Sequence, residues 1–222
     1  MQGRNPANGV WLFRPPGTPK KLVIFFHGQG GPQETTPVNH VAWIDHLVKD
    51  GAAVIYPRYE TDNAAGVLES AVAGVRTANE RLDSPDLPVL ALGYSRGGAL
   101  AVEYAAVSAG RHVPVPAIVE SVNPVPWGEQ ARIVDLRPLG HRTVMALIVS
   151  DQDPGAAPGA SGLLTRLRKA GFPGEQLRLH VARSHGSFVA DHLAPLGSSP
   201  AARTAYWVPT DVLLGELARS TH

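Results

Sequence analysis

A serine, two aspartates, a histidine and a glycine-rich segment are the residues of this sequence best suited to act together chemically. Ser95 lies in the segment Gly-Tyr-Ser-Arg-Gly, Asp151 and Asp153 follow a later apolar run, and His185 lies between a serine and a glycine. A serine hydroxyl is a poor nucleophile at neutral pH and needs a base within hydrogen-bond reach. An imidazole can accept that proton and return it to a leaving group, and a carboxylate can fix the imidazole's tautomer. The chain order Ser…Asp…His therefore indicates nucleophilic catalysis at Ser95 with His185 as the base.

The residues on either side of Ser95 supply the structural context that this chemistry requires. Residues 89–92 are apolar and predict a buried strand, and residues 99–109 predict a helix. A serine between glycines at such a strand-to-helix turn is a nucleophile elbow, with an exposed hydroxyl and a strained backbone. The elbow geometry makes the backbone N–H of Arg96 a donor to the oxyanion formed during acyl transfer. The alternative is an ordinary Gly-Ser turn, which could bind an anion at the helix N-terminus.

The periodicity of the sequence predicts strands that alternate with helices. The predicted strands cover residues 9–14, 21–26, 52–56, 89–92, 117–122, 144–149 and 177–182. The predicted helices cover residues 43–49, 66–82, 99–109, 161–170 and 210–219, the last with Thr210 as its N-cap and Pro209 in the preceding turn. This alternation predicts a mostly parallel sheet with helices on both faces. No repeat or composition break divides the chain, and we expect one domain over residues 1–222.

The four chemically suited segments all follow predicted strands. In open parallel sheets the ligand site lies beyond the carboxyl ends of the strands, so these segments should meet at one edge of the sheet. For the acid, Asp151 competes with Asp153, and Asp135 is a third choice interpreted as a solvated loop carboxylate. For the base, the competitors of His185 include His180, within a strand, and His192, beyond the strand end.

Composition limits the function classes that the chain can serve. The 222 residues have a formal net charge of +1 and no block of like charges, which disfavours a nucleic-acid partner. The absence of cysteine excludes thiolate catalysis and thiolate metal sites. The histidines and aspartates show no metal-ligand spacing, so we expect neither a metal nor another cofactor. No apolar run reaches the length of a membrane span, and no signal peptide is recognisable. The compartment stays open between the cytoplasm and secretion after removal of a leader.

Taken together, these motifs resemble the α/β-hydrolase superfamily over essentially the whole chain. The resemblance implies a sheet of about eight strands with the second antiparallel, of which seven can be placed, and it favours Asp153, next to Pro154, as the acid. It also implies that the backbone N–H of Gln29, in the His-Gly-Gln loop, is the second oxyanion donor. We expect His27, in the same loop, to be structural, with its ring bonded to its own loop. Many relatives carry a cap after the strand that follows the elbow helix, but residues 123–142 are too short and proline-broken for a helical lid.

An open site suits a small-molecule or polymeric ester, as in the lidless esterases, thioesterases and cutinase-like hydrolases that the chain resembles. Tyr94 and Trp127 are candidates for the substrate-binding wall, because one flanks the serine and the other follows a strand end. We expect a carboxylic ester hydrolase. The alternatives are a thioesterase, an acyl transferase or an amidase with the same triad, or a non-catalytic binding module on this fold. The sequence does not determine the oligomeric state.

Overall fold

One seven-stranded sheet forms the centre of the molecule. The computed structural model describes residues 9–29, 35–59, 66–82, 86–125, 134–139 and 143–219. The strands are β1 (Val10–Phe13), β2 (Lys21–Phe26), β3 (Ala52–Pro57), β4 (Val89–Tyr94), β5 (Ile118–Val122), β6 (Val144–Ser150) and β7 (Leu177–Ala182). They lie in the order β1-β3-β2-β4-β5-β6-β7, and only β1 is antiparallel to its neighbour. The prediction of a mostly parallel α/β sheet of seven to eight strands is confirmed.

Helices cover both faces of this sheet. The α-helices are α1 (Val41–Lys49), α2 (Val67–Asn79), α3 (Arg96–Ser108), α4 (Ala156–Lys169), α5 (Pro200–Ala202) and α6 (Val208–Arg219), and a π-helical segment covers Arg203–Trp207. Single 3₁₀ turns lie at Pro37–His40, Ala109–Arg111, Arg137–Leu139, Gly174–Gln176 and Ala194–Leu196. None of the helices within the described ranges is both long and apolar enough to cross a membrane.

The central strands are apolar along their whole length because both of their faces are covered. Every residue of β2, β3, β4 and β5 is buried. One apolar cluster packs α2, α3 and α4 against one face, and a second packs α1, the π-helical segment and α6 against the other. Strands buried on both faces read as continuous apolar runs rather than alternating ones. This explains why the sequence predicted these strands to within a residue or two.

The C-terminal helix begins earlier than the sequence predicts. The chain is helical from Pro200 to Arg219, so Thr210 is not an N-cap and Pro209 does not lie in a turn. The Thr210 hydroxyl instead donates to the carbonyl of Tyr206 at 3.0 Å, inside the helix. Proline lacks the N–H that an α-helix requires and crowds the preceding turn. The wider π-helical segment lies just before Pro209, where such a local adjustment is expected.

Glu120 is the one charged residue of β5, a strand in the middle of the sheet. Glu120 is fully buried, and neither of its carboxyl oxygens has a hydrogen-bond partner among the described residues. Burial raises the pKa of Glu120 to about 8, while the nearby Thr210 hydroxyl acts in the opposite direction and the carboxylate of Asp211 adds a smaller increase. Desolvation disfavours the charged form of a carboxyl group, so Glu120 is mostly protonated in the folded protein at neutral pH.

We predict that Glu120 makes the folded protein less stable as the pH rises. In the unfolded chain this carboxyl ionises above about pH 4.5, whereas in the folded protein it does so only above about pH 8. The free energy of unfolding should therefore fall between these two values, by up to about 1.4 kcal/mol per pH unit. Urea titrations of wild type and Glu120→Gln should give similar free energies near pH 4, and a more stable variant at pH 8.

Glu69→Gln serves as the matched control, because Glu69 is half exposed and pairs with Arg111 at 2.5 Å. This variant should follow the wild-type dependence on pH. Parallel curves for wild type and Glu120→Gln from pH 4 to pH 8 would contradict the assignment of this slope to Glu120.

Candidate active site

The turn between β4 and α3 leaves no room for side chains at its two glycines. A Cβ atom added at Gly93 would lie 2.0 Å from the carbonyl oxygen of Gly97, and one added at Gly97 would lie 2.3 Å from the carbonyl oxygens of Phe26 and His27. Ser95, between them, has φ 56° and ψ −125°. This region of φ is costly for a residue with a side chain and persists only where the surroundings enforce it. A strained serine at a tight strand-to-helix turn is the local geometry that a nucleophile elbow requires.

Backbone hydrogen bonds hold Ser95 in this strained conformation. Its N–H donates to the carbonyl of Val122 at 2.9 Å, at the end of the neighbouring strand β5. Its carbonyl accepts from the N–H groups of Gly98 at 2.9 Å and Val125 at 3.1 Å. The serine is thus attached to the sheet, to α3 and to the segment after β5. Its hydroxyl is left to interact with side chains.

A chain of hydrogen bonds joins Ser95, His192 and Asp153. The Nε2 atom of His192 lies 3.0 Å from Ser95 Oγ, and its Nδ1 atom lies 2.5 Å from Asp153 Oδ2. A neutral imidazole whose Nδ1–H donates to the carboxylate presents an unprotonated Nε2 to the hydroxyl. This is the arrangement that a serine nucleophile, its general base and an orienting acid require.

The carboxylate of Asp153 is held on both of its oxygens. Oδ1 accepts from the backbone N–H of Gly155 at 2.9 Å, while Oδ2 faces His192. The Asp153 side chain is only 3% exposed, whereas that of His192 is 35% exposed. The acid is therefore fixed within the protein, and the imidazole lies where the site opens to solvent.

His185 does not lie in this chain of hydrogen bonds, and its prediction as the base is corrected. The backbone N–H of His185 donates to the carbonyl of Phe188 at 3.0 Å, and the N–H of Phe188 donates back at 2.9 Å. The His185 residue is exposed, and its ring contacts that of Phe188. His192, which the sequence analysis named only as a competitor, takes its place.

The order of the strands explains this correction. Three inter-strand steps separate β7 from β4, a distance of about 14 Å. His185 comes three residues after the end of β7, so it could approach Ser95 only if the chain were nearly extended. Instead the chain turns at Gly186, where φ is 56°. The chain closes back on Ser184 at Ala190, whose N–H donates to the Ser184 hydroxyl at 2.9 Å, and His192 follows two residues later.

Asp151, the alternative acid, supports this loop instead of contacting the imidazole. Its carboxylate accepts from the Ser184 hydroxyl at 2.7 Å and from the Ser184 N–H at 3.1 Å, which holds the pKa of Asp151 below its ordinary value. The Ser184 hydroxyl in turn accepts from the N–H of Ala190 at 2.9 Å. Asp135, the third choice, is exposed and pairs with Arg137 at 2.6 Å, as expected for a solvated loop carboxylate.

Asn123 is a site-supporting residue that the sequence analysis did not identify. It has φ 45°, and its side chain bridges the ends of β5 and β6. Its Oδ1 atom accepts from the Ser150 N–H at 2.8 Å, and its Nδ2 donates to the Ser150 hydroxyl at 2.9 Å. That hydroxyl also lies 2.6 Å from the hydroxyl of Tyr206 in the π-helical segment. An asparagine directly after a buried strand, in Asn-Pro, was the available signal, since asparagine tolerates positive φ.

The loop after β2 lies directly beside the serine. A Cβ atom added at Gly28 would lie 3.2 Å from the Cβ of Ser95, so only glycine allows this approach without displacement. His27 is fully buried, and its Nδ1 lies 2.7 Å from the Gly28 carbonyl, which fits the structural role expected for it. Burial lowers the pKa of His27 to about 4, so its ring is neutral at physiological pH. Gln29 follows at the exposed end of this described segment, and Arg96 is the first residue of α3.

Of the two residues predicted to bind substrate, the structure describes Tyr94 but not Trp127. Tyr94 is only 3% exposed, so its side chain presents little surface to a substrate and contacts other parts of the protein instead. Its hydroxyl donates to the backbone carbonyl of His192 at 2.7 Å. Trp127 lies outside the described residues. Within the described ranges, no group of three or more His, Asp or Glu side chains is arranged to hold a metal ion.

Comparison with known proteins identifies the fold. Neither the protein-family models nor the curated proteins yield a match. Among solved structures, phosphonate-inhibited esterase B from Lactobacillus rhamnosis is 18% identical, with a TM-score of 0.73 over 100% of this chain and 84% of that one. Carboxyl esterase 2 from the fungus Tuber melanosporum is 17% identical, with a TM-score of 0.67 over 96% and 83% of the two chains. MGS-M1, an alpha/beta hydrolase enzyme from a Medee basin deep-sea metagenome library, is 17% identical, with a TM-score of 0.61 over 91% and 86%. The chain therefore has the α/β-hydrolase fold.

We predict that the glycine at the start of the elbow cannot be replaced, even by alanine. Gly93→Ala forces a methyl group against the Gly97 backbone, which can move only by separating β4 from α3. The free energy of unfolding should fall by about 3 kcal/mol or more, because overpacking of a rigid contact is destabilising. Chemical denaturation monitored by tryptophan fluorescence measures this loss.

Gly162→Ala is the matched control, since Gly162 lies within α4 and a Cβ atom there would meet nothing within 4 Å. Alanine should raise the free energy of unfolding at this position by up to about 1 kcal/mol, because of its higher helix propensity. If Gly93→Ala were as stable as wild type, the close approach of β4 and α3 would not be a constraint on the fold.

Proposed function

We propose that this protein is a serine hydrolase that cleaves carboxylic esters through an acyl-enzyme on Ser95. The hydrogen-bonded chain from Ser95 through His192 to Asp153 is the observation that carries the proposal. The fold supports it, since esterase B and carboxyl esterase 2, which share the fold, are esterases. The geometry of Ser95, His192 and Asp153 supports acyl transfer, and the esterase neighbours favour an ester over a thioester or an amide as the substrate.

In the first half of the reaction, Ser95 Oγ attacks the ester carbonyl while its proton passes to His192 Nε2. The Nδ1–H bond to Asp153 keeps the imidazole in the receptive tautomer and stabilises the imidazolium that forms. Collapse of the tetrahedral intermediate breaks the bond to the alcohol oxygen, which takes the proton from His192. The alcohol leaves, and Ser95 carries the acyl group as an ester.

In the second half, water replaces the alcohol. His192 Nε2 takes a proton from the water as its oxygen attacks the acyl carbon, and the second tetrahedral intermediate expels Ser95 Oγ. The serine recovers its proton from the imidazolium, and the carboxylic acid leaves. The same base therefore serves both halves, which requires only that His192 Nε2 can face the attacking and the leaving oxygen in turn.

The negative charge on each tetrahedral intermediate requires donors that are already in place. We assign this role to the backbone N–H groups of Arg96, the first residue of α3, and Gln29, after the glycine that lies against Ser95. Both are backbone groups on segments fixed by close glycine contacts. Loss of one such donor typically costs about 3–4 kcal/mol of transition-state stabilisation.

We predict that Ser95→Ala and His192→Ala each lower kcat about a million-fold towards p-nitrophenyl esters, because the triad acts as a unit. Combining the two substitutions should cost little more than either alone. The assay runs from acetyl to palmitoyl esters, and a fluorophosphonate reaction read by intact mass runs beside it. Wild type should gain one phosphonyl group, which Ser95→Ala should not.

His185→Ala is the matched control, because it removes a histidine of the same loop that does not contact Ser95. It should keep wild-type turnover and labelling. Labelling without ester turnover would indicate a working triad directed at a thioester, an amide or an acyl acceptor. If wild type shows neither labelling nor turnover, a binding module on this fold replaces the hydrolase.

A further inference from the structure

We infer that Tyr94 is a positioning residue that fixes His192 in place through its backbone. The inference rests on the proposed function, because it concerns the proposed general base. Tyr94 directly precedes Ser95 on β4, where it pairs in register with Val122 of β5. The backbone of Tyr94 is therefore held by the same part of the sheet that holds the backbone of Ser95.

The hydroxyl of Tyr94 is engaged with the loop that carries the base. It donates to the carbonyl oxygen of His192 at 2.7 Å, and the Tyr94 and His192 ring centroids lie 5.3 Å apart. Tyr94 is 97% buried, so water has little access to replace this donor if it is removed. The bond therefore links the residue before the nucleophile to the residue proposed to activate it.

The ring of Tyr94 also contacts two other segments around the serine. A Cβ atom added at Gly28 would lie 3.2 Å from its Cε1 atom, which places the ring against the loop after β2. Its centroid lies 5.8 Å from the ring of His40, in the 3₁₀ turn before α1. The Tyr94 side chain thus contacts both the loop after β2, which carries Gly28 and Gln29, and the loop after β7, which carries His192. These contacts fix the distance between the two loops.

Tyr94 supplies the anchor at His192 itself, because the other bonds from this segment to the strand ends lie before the histidine. The Ala190 carbonyl accepts from the Gln152 N–H at 2.9 Å, and the Asp191 carbonyl lies 3.5 Å from Asn123 Nδ2. Asp191 accepts from the N–H groups of Leu193 and Ala194, which orders the chain after the histidine but does not attach it to the sheet. Asp153 orients the imidazole ring of His192, but this hydrogen bond does not hold the backbone, because it could follow the ring if the backbone moved. The Tyr94 bond fixes the backbone from which the ring extends.

Steady-state kinetics of Tyr94→Phe with p-nitrophenyl butyrate test this inference. Phenylalanine keeps the ring contacts and removes only the hydroxyl. We expect kcat to fall about threefold to tenfold with KM unchanged, in line with the net worth of one hydrogen bond. Tyr104→Phe is the matched control, because the buried Tyr104 also donates to a backbone carbonyl, that of Pro114 at 2.8 Å, remote from the triad. It should leave kcat unchanged.

A double-mutant cycle separates positioning from a general structural effect. In the His192→Ala background, Tyr94→Phe should cost no further activity, because the imidazole that this backbone bond positions is gone. An equal loss in that background, or the same loss in Tyr104→Phe, would overturn the inference.

Hydrogen exchange keeps the inference testable even if the proposed function fails. Amides of residues 190–194 should exchange faster in Tyr94→Phe than in wild type or Tyr104→Phe, and equal exchange would overturn the positioning role. A wild type that neither turns over esters nor reacts with a fluorophosphonate would instead overturn the proposed function alone.

Discussion

The close approach of the first turn of α3 to β4 and to the end of β2, which excludes side chains at Gly93 and Gly97, is the constraint on which the rest of the site depends. It forces Ser95 into a positive φ and projects its hydroxyl from the end of the sheet. With that hydroxyl fixed, the side chains that join it in a chain of hydrogen bonds come from the ends of other strands. Asp153 lies in the loop after β6, and His192 lies in the loop after β7, three strands from β4.

Much of the sheet and part of the candidate site could be predicted because their determinants are local. Strands such as β2 and β4 are buried on both faces and are apolar without interruption. The elbow motif consists of two glycines and a serine within five residues, and the glycine-rich motif after β2 is equally short in sequence. Asp153 could be chosen over Asp151 because it lies shortly after a strand and directly precedes a proline, as in the family that the sequence resembles.

The remaining features depend on contacts between residues that are distant in sequence. The choice of His192 over His185 depends on the distance from β7 to β4 and on the hydrogen bond between Ser184 and Asp151. Neither can be recognised from a sequence pattern. The continuous helix through Pro209 similarly depends on the wider turn before it. From the sequence alone, a proline predicts a helix boundary, whereas in the folded protein Pro209 lies within the helix.

The bond between the Ser184 hydroxyl and the Ala190 amide brings together the two ends of the segment between them. His192 lies beyond this closed segment, two residues after Ala190, and the Ala190 carbonyl accepts separately from the N–H of Gln152. The residues from 185 to 189 therefore form an excursion whose length does not set the position of His192. In evolution or in design, this excursion can be lengthened or exchanged to reshape the rim of the site while the hydrogen-bonded geometry of Ser95, His192 and Asp153 is kept.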